Sequence, residues 1–440
     1  MAKFQAKRVN NGLKGQVVDL PADKSISHRS IIFLSLANGV AQISNLLEGE
    51  DVLATIGAMK KMGVEIEKLA NGNWQIKGSG LAGLVEPSDV LDMGNSGTAC
   101  RLLMGLVASF DFKTIFCGDV SLSKRPMQRV IDPIQQFGAE ILAASGGRLP
   151  LTVIGDDENI GIEYDMKIAS AQIKSCILLA GLNAYGQTKI IENSPCRDHS
   201  ELMMKYLGID LKIDQRDDGG KIISFIGNQE FDAKNIDVVG DISSAAFLIV
   251  AALIIKDSDI LIQNVGMNIL RDGVITSLLE MGADIKLLNP REVCGEKCAD
   301  IKVKYSNLKA IETDEKRAPL MIDEYPILFI AATQADGISK FNGLKELRVK
   351  ESDRLAAMED GLKKCGFNVK CGDDYLEIVG KSSNFDGDAQ IAVNHDHRIA
   401  MSFVVLAMVF DGNIFIDDDS MIKTSFPNFF DIWRQIGFDF

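Results

Sequence analysis

Pro21-Ala22-Asp23-Lys24-Ser25-Ile26-Ser27-His28-Arg29-Ser30 is the stretch around which the rest of the chain is read. An apolar run from Ile31 to Ala37 follows it, and Asn38-Gly39 closes that run. The pattern predicts a helix that starts near Ser25 and stops at Gly39, with Ser25 or Ser27 capping the amides of its first turn. The charges there have the sign a helix start disfavours. Lys24, His28 and Arg29 lie at the positive end of the helix dipole, at a cost of roughly 0.3–1 kcal/mol each. A bound anion reverses that cost, because free N–H groups, dipole and cations then all point at it. The plain alternative is a solvated basic turn, so the argument rests on how often the chain repeats the arrangement.

It repeats six times. The pattern apolar-Gly-apolar-polar-apolar occurs at Met62-Gly63-Val64-Glu65-Ile66, Phe137-Gly138-Ala139-Glu140-Ile141 and Leu207-Gly208-Ile209-Asp210-Leu211. It returns at Met281-Gly282-Ala283-Asp284-Ile285, Cys365-Gly366-Phe367-Asn368-Val369 and Ile436-Gly437-Phe438-Asp439-Phe440. The glycine spacings are 75, 70, 74, 84 and 71. Helix starts at Ser25, Thr98, Ser170, Ser243, Asp323 and His397 keep the same beat, with spacings 73, 72, 73, 80 and 74. Two independent markers with one period mark an internal repeat. Each glycine reads as the residue that ends a helix and leads into a strand.

Each unit therefore reads helix, strand, loop, helix, glycine, strand pair. Hairpin turns are expected at Asn71-Gly72, Ser145-Gly146-Gly147, Asp218-Gly219-Gly220 and Gly372-Asp373-Asp374,. The fourth link, Ile285 to Ile301, carries no clear turn signal, and the sixth unit runs out after one short strand. Phe4–Val9 and Gln16–Leu20 read as surplus strands, so residues 1–20 are expected to complete the sixth unit. That divides the chain into 1–20 plus 241–440 and 21–240, three repeats each, with crossings near 21 and 240.

The chain has 440 residues, 46% hydrophobic and 25% charged, an ordinary globular composition with room for two domains,. The opening MAKFQAKRVNN has no apolar segment, so no signal peptide is expected,. No run of about 18 uncharged apolar residues predicts a membrane span. The 8 Cys are scattered, and Cys294 and Cys298 lack the His or second Cys pair of a zinc site,. A cytoplasmic protein with reduced thiols is the expectation. The net charge of −14 argues against a general nucleic-acid binder,. There is no phosphate-binding GxxxxGK[ST] loop, no complete dinucleotide fingerprint, no HExxH and no nucleophile elbow.

Against that acidic background, cations gather at helix starts. Arg101 follows Gly94-Asn95-Ser96-Gly97-Thr98, and Lys124-Arg125-Pro126 with Arg129 precedes the helix ending at Gly138, with Pro126 suited to its first position,. Lys174 follows Ser170-Ala171-Gln172; Arg197-Asp198-His199 precedes Gly208, and Arg271 precedes Gly282. Arg348, Lys350 and Arg354 precede Gly366, His397-Arg398 opens another helix, and Lys423 precedes the last. All four His (28, 199, 395, 397) lie in or beside these stretches. With 61 acidic against 47 basic residues, polar loops alone predict at least as many acids there. The bias points to a focused anion pocket. Asp323-Glu324 and Glu351 are embedded among the cations. Glu351, between Lys350 and Arg354, should be held ionised unless burial offsets the pairing. Either acid serves as an acid/base group or as a salt bridge that positions an Arg.

Pro21 to Arg29, Asn95-Ser96-Gly97-Thr98, Lys124-Arg125-Pro126-Met127 and Ser170-Ala171-Gln172-Ile173-Lys174 together resemble the EPSP synthase family. So do Leu347 to Arg354 and Asp396-His397-Arg398-Ile399-Ala400-Met401, in order along essentially the whole chain. Ser170-Ala171-Gln172, Arg197-Asp198-His199 and Ile322-Asp323-Glu324-Tyr325-Pro326 look closer to the branch often called class II than to the enteric type. The resemblance implies an α/β fold, a two-domain inside-out α/β barrel of three βαβαββ repeats per domain, joined by two crossover strands. It implies helix starts from both domains facing a cleft that closes on substrate and excludes water. It implies transfer of the enolpyruvyl group of phosphoenolpyruvate to the 5-hydroxyl of shikimate 3-phosphate, with release of phosphate. No metal or organic cofactor is implied, and the family favours a monomer.

Carried over residue by residue, Lys24, Arg125, Gln172, Arg354, Arg398 and Lys423 would hold phosphoenolpyruvate, with Gly97 leaving room for it. Lys24, Ser25, Arg29, Ser170, Gln172, Arg197, Asp323 and Lys350 would hold shikimate 3-phosphate, with Ala171 contributing backbone. Asp323 would accept the 5-hydroxyl proton, and Glu351, with Lys24, would protonate the methylene carbon. Two substrates with a phosphate and a carboxylate each explain the number of cations. Glu346 stands where the enteric type often has Asn, and Ser96 where the family usually has Ala. Glyphosate, the family's herbicide, occupies the phosphoenolpyruvate subsite, and Gly97 permits it.

Two other readings are weighed. The sister enzyme that acts on UDP-N-acetylglucosamine typically has Asn after the first Lys and a reactive Cys in the second unit; here Ser25 follows Lys24, and Cys117 lies in that general region. A non-catalytic binder of phosphorylated metabolites would keep the cations and lose Asp323 or Glu351, which are both present.

Overall fold

The computed structural model of the chain describes residues 4–9, 11–383 and 385–439. Phe440, the last residue of the sixth glycine pattern, lies outside them. The six-fold beat is visible in the backbone. Gly63, Gly138, Gly208, Gly282, Gly366 and Gly437 all take φ between 75° and 112°, one or two residues past the last residue of a helix. That is the left-handed conformation which stops a helix and turns the chain into a strand.

Each repeat's strands form one mixed sheet. In the second, third, fifth and sixth repeats a short edge strand comes just before the repeat's first helix and runs parallel to the strand after it. Leu91–Asp92 pairs with Lys113–Cys117, and Glu163–Met166 with Gln187–Glu192. Glu312–Thr313 pairs with Ile338–Asn342, and Asp388–Ile391 with Asn413–Ile416. The first and fourth repeats exchange this strand. Lys14–Val17, ahead of the first repeat in sequence, runs parallel to Asp259–Gly266 of the fourth. Ile236–Asp237, ahead of the fourth, runs parallel to Asn38–Ser44 of the first.

The chain divides into two compact units accordingly. One holds Ala22–Val238 with Val293–Glu296; the other holds the chain up to Pro21, Val239–Glu292 and everything from Lys297 onward. The N-terminal strands differ from the sequence reading. Phe4–Ala6 does complete the sixth sheet, antiparallel to Asn413–Ile416, but Lys14–Val17 completes the fourth. No strand follows Gly437 among the described residues. The expected hairpin turns all link paired strands. The unread fourth turn is Cys294-Gly295 between Asp284–Val293 and Glu296–Lys304. Both turn residues have positive φ, 50° and 85°, as a two-residue hairpin loop requires, but Cys in place of Asn or Asp hides the signal.

Helix starts fall within two residues of the predicted ones. The first helix spans Lys24–Leu36, and its cap is neither Ser25 nor Ser27 but Asp23, whose side chain accepts from the Ile26 amide. An acid therefore does stand at the positive end of this dipole, which offsets part of the cost assigned to Lys24 and Arg29. Ser27 instead accepts from the Leu47 amide. Gly39 lies three residues past the helix end, inside the strand Asn38–Ser44. Ser96, Ser170, Asp241 and Asp396 cap the corresponding helices of four other repeats. Pro126 precedes the helix Gln128–Gln136 by two residues rather than opening it.

These first helices are the cores. In one unit every residue of Ile242–Ile254, Tyr325–Thr333 and His397–Ala407 is buried, and the three pack on one another. In the other unit Lys24–Leu36 and Ala171–Leu182 both pack against Gly97–Val107. Helices apolar all round are stable only with protein on every side. The sheets alternate instead, as in Lys113–Cys117, which buries every second side chain,. No helix among the described residues is long and apolar enough to cross a membrane.

Gly282 isolates the conformational requirement of the repeat, because φ is +88° and a Cβ there would meet nothing closer than 3.9 Å. Gly282→Ala is expected to cost roughly 1–2 kcal/mol, the strain of a left-handed L-residue, seen as a lower urea midpoint with unchanged far-UV circular dichroism. An unshifted midpoint would remove this explanation of the repeated glycine.

Candidate active site

Because the first helices are buried, some polar groups at their starts are buried too, while Lys24, Ser25, Ser170 and Gln172 are half-buried. Arg29 is 2% exposed. Its Nε donates to Ser200 Oγ at 2.8 Å, its Nη2 to Ser175 Oγ at 2.6 Å and its Nη1 to the Ser25 carbonyl at 2.9 Å. All three acceptors are neutral. Burial draws this guanidinium down to about 10, against the opposing pull of Glu201 and Asp23, with Arg197 adding to the fall. A group in that position is stabilised by an anion. Ser170 caps the helix that supplies Ser175, and Ala171 opens it.

Gln172, on the same helix start, joins the second repeat. Arg101 Nη1 donates to Gln172 Oε1 at 3.0 Å, and Gln172 Nε2 donates to Thr98 Oγ1 at 3.0 Å. A Cβ at Gly97 would stand 2.7 Å from Arg101 Nη1 and 3.2 Å from Arg125 Nη1, so a side chain there would push the Arg101 guanidinium out of its present place. Arg125 also donates to the Asn95 side chain and to Ser121 Oγ. Ser96, unusual beside Gly97, is the buried cap that accepts from Ala99 N at 3.2 Å. Lys24 pairs with Asp51 at 3.0 Å.

The other unit holds the candidate acids. Asp323 Oδ1 accepts from Lys350 Nζ at 3.2 Å and from Arg354 Nη1 at 3.3 Å. Arg354, 1% exposed, also meets Glu351 at 2.5 Å and Asp396 at 2.8 Å. Burial opposes its charge, but Asp396, Glu351 and Asp323 raise it well above the usual arginine range. Arg398 Nη1 donates to the Asp323 carbonyl at 2.9 Å. Lys423 is exposed on the turn Ser420–Thr424, which packs on the Arg398 helix. Glu346 is exposed on the turn Lys345–Val349.

Several cations at helix starts turn out to serve the protein interior. Lys174 is wholly buried between Glu192 at 2.9 Å and Glu201 at 2.7 Å. Burial works against its charge, and Glu201 and Glu192 hold it protonated all the same. Arg271 pairs with Asp241, His199 with Glu296 and Arg348 with Asp353. Counting cations at helix starts therefore overstates the free positive charge, because Lys174 and Arg271 are taken up by buried carboxylates elsewhere in the chain. Ser175, Ser200, Asp51 and Asp396, which hold the candidate residues, carried no local signal of that task. Cys117 ends a strand, and burial together with Asp92 pushes its thiol up, the opposite of an activated nucleophile. Among the described residues no three His, Cys, Asp or Glu side chains gather as for a metal ion.

Residues 8–433 match the family model described as EPSP synthase (3-phosphoshikimate 1-carboxyvinyltransferase). The chain is 48% identical over 437 residues to the 3-phosphoshikimate 1-carboxyvinyltransferase of Paramagnetospirillum magneticum, covering 99% of this chain and 98% of that one. It is 51% identical over 427 residues to that of Zymomonas mobilis, covering 96% and 94%. Its fold is similar to the solved EPSP synthase of Acinetobacter baumannii, with a TM-score of 0.88, 43% identity and coverage of 100% and 99%. The enolpyruvyl transferase NikO of Streptomyces tendae shares the fold at a TM-score of 0.76 and 14% identity, over 99% and 97% of the two chains.

His28 supplies a test of this buried architecture. Its Nδ1 lies 2.7 Å from Thr55 Oγ1, and burial lowers its pKa to about 3. The unfolded chain takes up this proton near pH 6.5 and the folded chain only near 3, so stability is full above 6.5 and declines below it. The slope reaches about 1.4 kcal/mol per pH unit. Urea midpoints between pH 7 and 5 are expected to fall less steeply in His28→Gln than in the unmodified chain; equal slopes would show that His28 does not carry this linkage.

Proposed function

The chain belongs to the EPSP synthase family, and on that premise we propose how its residues divide the work. It transfers the enolpyruvyl group of phosphoenolpyruvate to the 5-hydroxyl of shikimate 3-phosphate and releases phosphate, a step of the shikimate pathway. Ser25, Arg29, Ser170, Gln172, Arg197 and Lys350 hold shikimate 3-phosphate, with Lys24 and Asp323 beside it and Ala171 offering backbone. Arg29 carries this reading most directly: a buried guanidinium with only neutral oxygens at hydrogen-bond distance has no directly paired carboxylate, and a phosphorylated substrate would supply that charge. Lys24, Arg125, Gln172, Arg354, Arg398 and Lys423 hold phosphoenolpyruvate beside Gly97.

Asp323 takes the proton of the attacking hydroxyl, and Lys350 and Arg354 hold its carboxylate in place. Glu351, with Lys24, delivers a proton to the methylene carbon while the hydroxyl oxygen bonds to the neighbouring carbon. Loss of phosphate and of one methyl proton from that tetrahedral adduct restores the double bond. The cations stabilise charge on phosphate and carboxylate throughout, and these roles need neither metal nor organic cofactor. The protein works as a cytoplasmic monomer. The raised Cys117 thiol and Ser25 after Lys24 count against the UDP-sugar reaction.

Phosphate release is expected from phosphoenolpyruvate with shikimate 3-phosphate and none with UDP-N-acetylglucosamine; the reverse pattern would overturn the assignment. Glu351→Gln is expected to slow turnover by about 10²–10⁴-fold, the usual worth of a general acid, while calorimetry finds shikimate 3-phosphate affinity nearly unchanged. Full turnover would remove Glu351 from proton transfer. Arg29→Ala should instead weaken shikimate 3-phosphate binding by about 10–100-fold, the loss of a charged hydrogen bond, and unchanged affinity would count against its role.

A further inference from the structure

We propose that Glu324 is a positioning residue for phosphoenolpyruvate, acting through Arg398; the inference rests on the function proposed above. Glu324 precedes the helix Tyr325–Thr333 as its cap residue, yet its side chain makes no capping hydrogen bond. Asp241 and Asp396, at the equivalent places in the neighbouring repeats, turn their carboxylates onto their own helix amides. Glu324 is fully buried and turns elsewhere.

One oxygen gathers three partners. Ser243 Oγ donates to Glu324 Oε1. Arg271 Nη2 lies 3.5 Å from that oxygen and donates to Ser243 Oγ at 2.7 Å. Arg398 Nη1 stands 3.9 Å from it while donating to the Asp323 carbonyl at 2.9 Å. Arg271, itself buried, also meets Asp241 through the same Nη2 at 3.2 Å. Oε2 of Glu324 is buried without a hydrogen-bond partner among the described residues.

A buried carboxylate is costly unless cations and donors surround it. Here they do, and the arrangement fixes a flexible binding side chain. Arg398 is held at one nitrogen by the backbone of Asp323 and the charge of Glu324, so its other N–H donors are aimed before a ligand arrives. Ordering an arginine beforehand leaves less entropy to lose on binding. Glu324 thereby ties the orientation of Arg398 to the backbone of the candidate base Asp323, one residue away.

The test is steady-state kinetics of the full chain carrying Glu324→Gln, with Arg398→Lys and the double variant alongside. KM for phosphoenolpyruvate is expected to rise about tenfold or more while kcat falls less than about threefold, and shikimate 3-phosphate affinity by calorimetry changes less than about twofold. In the Arg398→Lys background, Glu324→Gln should add less than about twofold, because coupled residues are not additive. An unchanged KM, full additivity with Arg398→Lys, or equal weakening of both substrates with a fallen Tm would each overturn the proposal. If Glu324→Gln does not fold, Ser243→Ala tests the same network, with a rise of about threefold expected in the same KM and an unchanged KM overturning it. A lack of phosphate release from the unmodified chain would instead overturn the proposed function itself.

Discussion

A helix buried on every side cannot leave its first turn to water, and this constraint organises both units. The four free amides at each start need partners supplied by protein or ligand. Asp23, Ser96, Ser170, Asp241 and Asp396 supply them in five repeats. A charged side chain buried beside those caps must find a counter-charge or await one.

The cations divide along that line. Lys174 and Arg271 meet carboxylates inside the protein and serve as struts. Arg29 meets hydroxyls and a carbonyl, and Arg125 meets an amide oxygen and a hydroxyl. Gly97 leaves the space beside its Cα to the guanidiniums of Arg101 and Arg125. The struts hold the helix starts in place, while Arg29 and Arg125 have no carboxylate at hydrogen-bond distance among the described residues.

Most of the architecture was legible because it rests on short-range rules repeated six times. A left-handed residue after a helix is nearly always glycine, so Gly63 to Gly437 announced the period. The Cys294-Gly295 turn was not legible, since nothing local marks a cysteine for positive φ. Nor was the exchange of Lys14–Val17 and Ile236–Asp237 between the first and fourth sheets, because strand pairing is decided by partners over 190 residues away,. The candidate site shows the same boundary. Lys24, Arg29, Gly97 and Arg398 stand out by residue type at a helix start. Their partners Asp51, Ser175, Ser200 and Glu324 do not, because those contacts join separate helices, and all but Asp51 separate repeats. The full-length family resemblance, rather than spacing, linked the cations to two particular substrates.

The pairing of Phe4–Ala6 with Asn413–Ile416 has a consequence for synthesis on the ribosome. Phe4 lies opposite Ile416, so this strand waits for its neighbour until about 410 further residues have been made. At about 5–20 residues per second that interval is roughly 20–80 s. The unit from Ala22 to Val238 lies almost entirely within one continuous stretch of chain and has its own strands to hand long before. Growth of the nascent chain thus favours completion of the inserted unit first, while Phe4–Ala6 stays an unpaired edge that chaperones must keep from foreign partners.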